Sequence, residues 1–139
     1  MEWVLVRKED IEDSLRNNPS EGSKMLEPFN AFKKEHNLPF GIIEDSNVTD
    51  LARVHKNKGE LWHCLEGDPV FICGGSLSNP SFEKDSFGND IENELISDLI
   101  REGEEVFLKA GDWIWIPAGV VHQRKCERTV RLIVIEIPC

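Results

Sequence analysis

From Val48 onward the chain is cut into short apolar segments bounded by turn residues, and that rhythm constrains the fold more than any other feature. "LARVH", "ELWHCLEG", "PVFICGGSL", "EEVFLKAGD", "DWIWIPAG" and "TVRLIVIEI" are rich in β-branched and aromatic residues and punctuated by Gly, Pro or Asp. Short strands recurring with turns between them predict an antiparallel sandwich or barrel. The chain has 139 residues, which suits one domain around a single sizeable core.

Two regions break the β rhythm. Residues 1–45 read as a helical extension. "EDIEDSLRN" is a short helix candidate that ends in the breaker-rich "NNPSEGS". In "EPFNAFKKEHN", Phe29 and Phe32 share a helical face and Pro28 suits a first-turn position. "LPFGIIED" then reads as extended. The second break is "NDIENELISDLIREGEE", where Leu95, Ile96, Leu99 and Ile100 fall at helical spacing between Asp90 as N-cap and Gly103 as stop. This predicts a helix inserted between strands, preceded by a surface loop, "SNPSFEKDSFGND".

Charge narrows the partners. The net charge is −10, which repels phosphate backbones and anionic membranes, so neither nucleic acid nor membrane is an expected partner. No apolar run approaches the roughly 20 residues needed to cross a bilayer. "MEWVLVRKEDIED" lacks a basic stretch followed by an apolar core, so a cytoplasmic protein is expected. Cys64, Cys73, Cys126 and Cys139 form no C-x-x-C pair, and free thiols are expected.

The chemistry concentrates around "GDWIWIPAGVVH". Gly111, five residues, Pro117, one residue, Gly119, two residues, His122: this spacing resembles the second signature of the cupin superfamily, which continues to an Asn where this chain has Cys126. Upstream, "RVHKNKGELWHCLEG" resembles the first signature in degenerate form. His55, Glu60 and Gly67 match it, while Arg53 stands where the first His of His-x-His is expected and Asn47 where the leading Gly is. The resemblance covers roughly residues 45–137.

It implies a cupin double-stranded β-helix, a jelly-roll-like barrel over residues 46–139. It also implies a metal site at His55, Glu60 and His122. Closing a sheet into a small barrel points alternate residues inward, so three such side chains can converge. Two imidazoles and one carboxylate leave coordination positions open, a set suited to Fe(II) first, and also to Zn, Mn or Ni. The implied activity is a non-haem dioxygenase-type oxidoreductase acting on a small carboxylate-bearing molecule. A metal-assisted isomerase or lyase and a non-catalytic binding cupin are the alternatives. Proteins of this resemblance are often homodimers.

Neighbouring residues extend the reading. Arg53 shares a strand face with His55 and could clamp a substrate carboxylate or pair with a surface acid. Trp62 and Cys64 share Glu60's face and, with Trp115, could line a substrate pocket; core packing is the other role open to them. His63 has the opposite parity and is excluded from the site.

Overall fold

The structure is a computed structural model and describes residues 2–139. Two helices, α1 (Lys8–Leu15) and α2 (Phe29–His36), alternate with the first strands, β1 (Gly22–Met25) and β2 (Phe40–Ser46). The barrel proper follows: β3 (Val48–Thr49), β4 (Ala52–His55), β5 (Lys58–Glu66), β6 (Val70–Cys73) and β7 (Ser76–Leu77). Then come β8 (Ser81–Lys84), β9 (Asp90–Ser97), β10 (Ile100–Arg101), β11 (Glu104–Phe107), β12 (Trp113–Ile116), β13 (His122–Cys126) and β14 (Val130–Pro138).

Two antiparallel sheets face each other. One runs β1-β2-β14-β5-β12 and the other β11-β6-β13-β4-β9-β8, with β3 beside β13. Alternate residues of each strand point inward, and Trp62, Cys64, Phe71, Ile116, Leu132 and Val134 fill the space between the sheets. A second cluster lies outside the first sheet, where Phe29 and Leu26 pack against Ile42, with Phe32, Phe40 and Ile133 around them. Both helices fall inside residues 1–45, as the sequence predicts. That region is not helical throughout, because β1 and β2 join the same sheet as β14.

The helix expected over residues 90–103 is not formed; the segment is strand. Aspartate chemistry in the preceding residues decides it. The Asp85 carboxylate accepts from the backbone N–H groups of Phe87 and Asn89, and Gly88 turns the chain at φ +83°. That closes a β8–β9 hairpin, and β9 then finds a partner in β4, with Glu94 opposite His55 and Ile96 opposite Arg53. Backbone pairing along a free sheet edge overrides a weak helical periodicity. The expected surface loop correspondingly contains β8.

Candidate metal centre

His55 ends β4, Glu60 lies on the inward face of β5, and His122 opens β13. The Pro117–Gly119 turn joins β12 to the His122 strand. Gly119 sits at φ +83°, a conformation that disfavours any side chain, and its N–H donates to the His55 carbonyl at 2.8 Å. The turn that carries one histidine is therefore bolted to the strand that carries the other. Gly67, the matched glycine of the upstream motif, sits at φ +86° with the Thr129 carbonyl where a Cβ would lie, so the β5–β6 turn admits no larger residue.

One ligand atom from each of His55, Glu60 and His122 lies within 4.8 Å of the others. Glu60 Oε1 is 3.0 Å from His122 Nε2 and 3.4 Å from His55 Nε2. All three residues are less than 8% exposed. The far nitrogen of each imidazole is also engaged. His122 Nδ1 donates to the Val120 carbonyl at 3.1 Å, and His55 Nδ1 donates to the Glu94 carboxylate in a short hydrogen bond. A carbonyl or ionised carboxylate can only accept, so both Nδ1 atoms carry the proton and both Nε2 lone pairs are left for the centre. The donor set therefore fits a divalent metal in identity, convergence and tautomer.

The electrostatics show what holds this cluster when a proton takes the place of a cation. Burial pushes His55 down, but hydrogen bonds and charge from Glu60 and Glu94 outweigh it and raise its pKa above the ordinary 6.5. Burial pushes Glu60 up, but the hydrogen bonds from His122 and His55 win and hold its carboxyl well below the usual range. A group with a raised folded pKa gives stability that is complete below its unfolded value and lost as pH rises through the folded one. The metal-free protein should thus lose His55's contribution as pH climbs above about 6.5. Metal affinity should rise over the same window, because metal and proton compete for Nε2. Denaturant unfolding with and without a chelated divalent ion, at pH 6 and pH 8, checks the opposed slopes.

The cluster forms one wall of a cavity of about 550 Å³ between the sheets. Arg53 and Trp62 line it. Cys64 and Trp115 do not. Cys64 is sealed in the core against the Glu66 and Gly67 carbonyls, and Trp115 faces outward on β12, where its ring covers Gly59. Parity explains Trp115, since Ile114 and Ile116 take the inward positions of β12; Cys64 does point inward, but two residues beyond Trp62, in the closed core. His63 stacks on Trp113 on that outer face and stays out of the site. Arg53 is not a free guanidinium: it meets Glu83 at 3.0 Å and Asp50 at 3.6 Å.

Several further residues line the cavity. Glu94 was assigned to a helix, which hid its place across from His55. Arg124 lies over the Trp62 ring at 4.9 Å and pairs with Asp45 and Asp50. Lys58 meets Glu136 at 3.0 Å, and Lys33 and Lys34 reach the cavity from α2. Strand parity from His122 would have placed Arg124 inward; nothing local points to the lysines of α2.

This arrangement of two facing sheets has solved counterparts. A predicted oxalate decarboxylase from Thermotoga maritima superposes with a TM-score of 0.51 over 84% of this chain and 79% of that one, at 16% identity. The chain has the cupin fold. At that identity the likeness carries the architecture alone. Two further solved structures lie at lower similarity. Drosophila melanogaster CENP-C bound to CAL1 has 11% identity, 70% of this chain, 64% of that chain and a TM-score of 0.49. Oxalate oxidase in complex with glycolate has 16% identity, 71% and 41% coverage, and a TM-score of 0.47. The chain thus spans less than two thirds of either of those two chains. No protein-family model and no curated protein matches it. Among the described residues no helix is long and apolar enough to cross a membrane.

Glu94 gives the site its first test. Removing an outer partner of a metal-binding histidine typically costs 10–100-fold in affinity. Glu94→Ala should weaken divalent metal binding by about that factor, while Glu94→Gln, whose amide oxygen can still accept from Nδ1–H, should recover part of it. Zn(II) titration against a competing chelator measures both.

Proposed function

We propose that this cupin is a metal-dependent enzyme in which His55, Glu60 and His122 hold one divalent ion, Fe(II) in the first instance. The reaction class is a dioxygenase-type oxidation of a small carboxylate-bearing molecule. The observation that carries the reading is the convergence of Glu60 Oε1 and two imidazole Nε2 atoms whose opposite nitrogens are both hydrogen-bonded. A bound Fe(II) would supply redox chemistry at the coordination positions that three protein ligands leave open.

The chain's own groups supply the rest. Trp62 and Val134 give the cavity an apolar wall against which a small substrate can exclude water. Charge favours an anion there. Glu83, Asp50, Glu136 and Glu94 already face Arg53, Arg124, Lys58 or His55, so the cavity's acids are spoken for. One carboxylate against a divalent ion leaves a net positive centre, and Lys33 and Lys34 add to it at the mouth. Arg53, held by two acids, acts in this reading as part of the wall and not as the clamp.

Elemental analysis of protein purified without chelator tests the metal, and oxygen uptake by the Fe(II)-loaded protein across a panel of small mono- and dicarboxylates tests the activity. Stoichiometric metal with oxygen uptake on one acid class supports the proposal. Metal without oxygen uptake would move the reading to a Lewis-acid isomerase or lyase, or to a binding cupin. Absence of retained or added metal would overturn the site.

A further inference from the structure

Two cations at the cavity have no acid partner. Lys33, Lys34, Arg53, Lys58 and Arg124 all line it. Arg53 faces Asp50 and Glu83, Lys58 faces Glu94 and Glu136, and Arg124 faces Asp45 and Asp50. Among the described residues no carboxylate oxygen lies within 4.0 Å of the Lys33 or Lys34 ammonium. Both belong to α2, and with Asn30 they fall at i, i+3 and i+4, which puts all three on the helix face that meets the cavity. Phe29 and Phe32 hold the other face against the sheet.

α2 packs outside the first sheet, yet the Lys33 stem crosses to the inside. Gly41, Ile43 and Asp45 of β2 share the inward parity: Ile43 packs against the core between the sheets, and Asp45 pairs with Arg124. A Cβ on Gly41 would fall 2.4 Å from Met25 Cε, 3.0 Å from Lys33 Cδ and 3.3 Å from Lys33 Cε. The absent side chain is the gap through which the stem passes, so Lys33 is half-buried and its ammonium emerges at a fixed place on the cavity. From that place an apolar row leads to the metal centre. Gly41 lies opposite Val134, and Val134 lies opposite Trp62, whose indole N–H donates to Glu60. Two strand spacings of about 4.8 Å put Trp62 about 10 Å from Gly41.

We infer that the cavity takes a molecule with an acid group at each end of an apolar body, one end on the ion held by His55, Glu60 and His122 and the other on Lys33, with Lys34 beside it. The first end rests on the metal reading above; the second rests on the unpaired lysines. A net positive centre at one end and two unpartnered ammonium groups at the other complement a dianion. Val134 and Trp62 between them offer a third charge no partner, so the body of the molecule is apolar there. A carboxylate and a phosphate present the same chemistry to the distal end, because a lysine binds either as a point charge. Lys33 and Lys34 thereby set which acids are accepted, by length and by the second charge.

Isothermal titration of the Zn(II)-loaded protein tests it, with glutarate, adipate and pimelate set against pentanoate, hexanoate and heptanoate. Zn(II) takes the same donors without redox chemistry. At least one diacid should bind about tenfold more tightly than the monoacid of equal length. Lys33→Met should remove that advantage and change monoacid affinity far less. It keeps the stem over Gly41 and strands no acid, so its metal content and far-ultraviolet circular dichroism should match the wild type. Lys33→Arg restores the charge and should recover part of the preference. Phosphonocarboxylates of the same lengths identify the distal group: tighter binding than the diacid assigns a phosphate, weaker binding a carboxylate. Zn(II)-loaded protein that binds monoacids and diacids equally, or a Lys33→Met protein that loses both equally, would overturn the inference while leaving the metal site standing. So would a Lys33→Arg protein that recovers none of the preference. Failure of the metal reading looks different: no Zn(II) is retained and neither class of acid binds, which would overturn both.

Discussion

His122→Ala should fold, keep its sheet content, and fail to retain a stoichiometric divalent metal. His122 supplies one of three protein ligands, and its Nε2 lies 3.0 Å from the Glu60 oxygen that a shared ion would also bind. With it gone, two ligands remain, a set too small to hold a labile ion against a chelator. The affinity loss should exceed the roughly 100-fold upper end of an outer-partner change such as Glu94→Ala. The ordering of the two variants is therefore itself diagnostic. Stability should move much less than metal binding, and its sign is informative. In metal-free protein the Glu60 carboxyl is held low by the two imidazoles, so removing His122 should shift it upward. A depressed carboxyl gives stability present above its unfolded pKa and lost as pH falls through the folded one. The variant should accordingly lose stability at neutral pH and show less of it left to lose in acid. Inductively coupled plasma analysis gives the metal content, and urea unfolding at pH 4 and pH 7 gives the stability. Full metal content in His122→Ala would remove the site.

The placement of this triad was legible because two separate cues agreed. The cupin-like signature around Pro117-Ala-Gly119 carried His122, the degenerate upstream one carried His55 and Glu60, and strand parity counted from Glu60 extended the reading to its neighbours. The same parity argument correctly turned His63 outward and Trp62 inward. It failed for Trp115, because an apolar run reading Trp-Ile-Trp-Ile does not say which pair faces in; the isoleucines did. It failed differently for Glu94. A helical period at Leu95, Ile96, Leu99 and Ile100 concealed a strand whose identity depends on β4 being beside it, a non-local fact. Arg53 takes the second of the two roles open to it from sequence, pairing with acids, but its partner Glu83 was not foreseen because it comes from the hairpin that the loop-and-helix reading erased. One wrong element thus accounts for both the missed histidine partner and the missed partner of Arg53.

Arg131→Met should be strongly destabilising, costing about 3–5 kcal/mol because it removes the bidentate partner of a buried carboxylate. Arg131 is 3% exposed and Glu44 1%. The guanidinium donates to Glu44 Oε1 from Nε at 3.0 Å and from Nη2 at 2.9 Å. Its Nη1 also donates to the Leu15 carbonyl at 2.6 Å, and Nη2 to the Asn17 carbonyl. One side chain on β14 therefore ties the end of α1 to β2, satisfying carbonyls that a helix terminus leaves open. Methionine fills the volume but leaves those carbonyls unmet and Glu44 with Lys24, at 2.8 Å, and the Ser20 N–H as its remaining partners. Against a total of roughly 5–15 kcal/mol for a domain, the loss is a large fraction. Arg131→Lys should rescue little, since an ammonium cannot span a carboxylate and two separate carbonyls in a fixed fork. The acid limb separates this ion pair from simple packing. Burial pushes Glu44 up, but the hydrogen bonds from Lys24 and Arg131 hold it below its ordinary 4.5. Its stabilisation is present above that value and disappears as pH falls through the lowered one. Arg131→Met should flatten this acid loss, and Glu44→Gln/Arg131→Met should be more stable than Arg131→Met alone, because no buried carboxylate is left short of its arginine. Urea midpoints for the three proteins at pH 7 and pH 3 check both expectations. A double variant no better than the single one would mean that the helix-end carbonyls, not the carboxylate, set the cost.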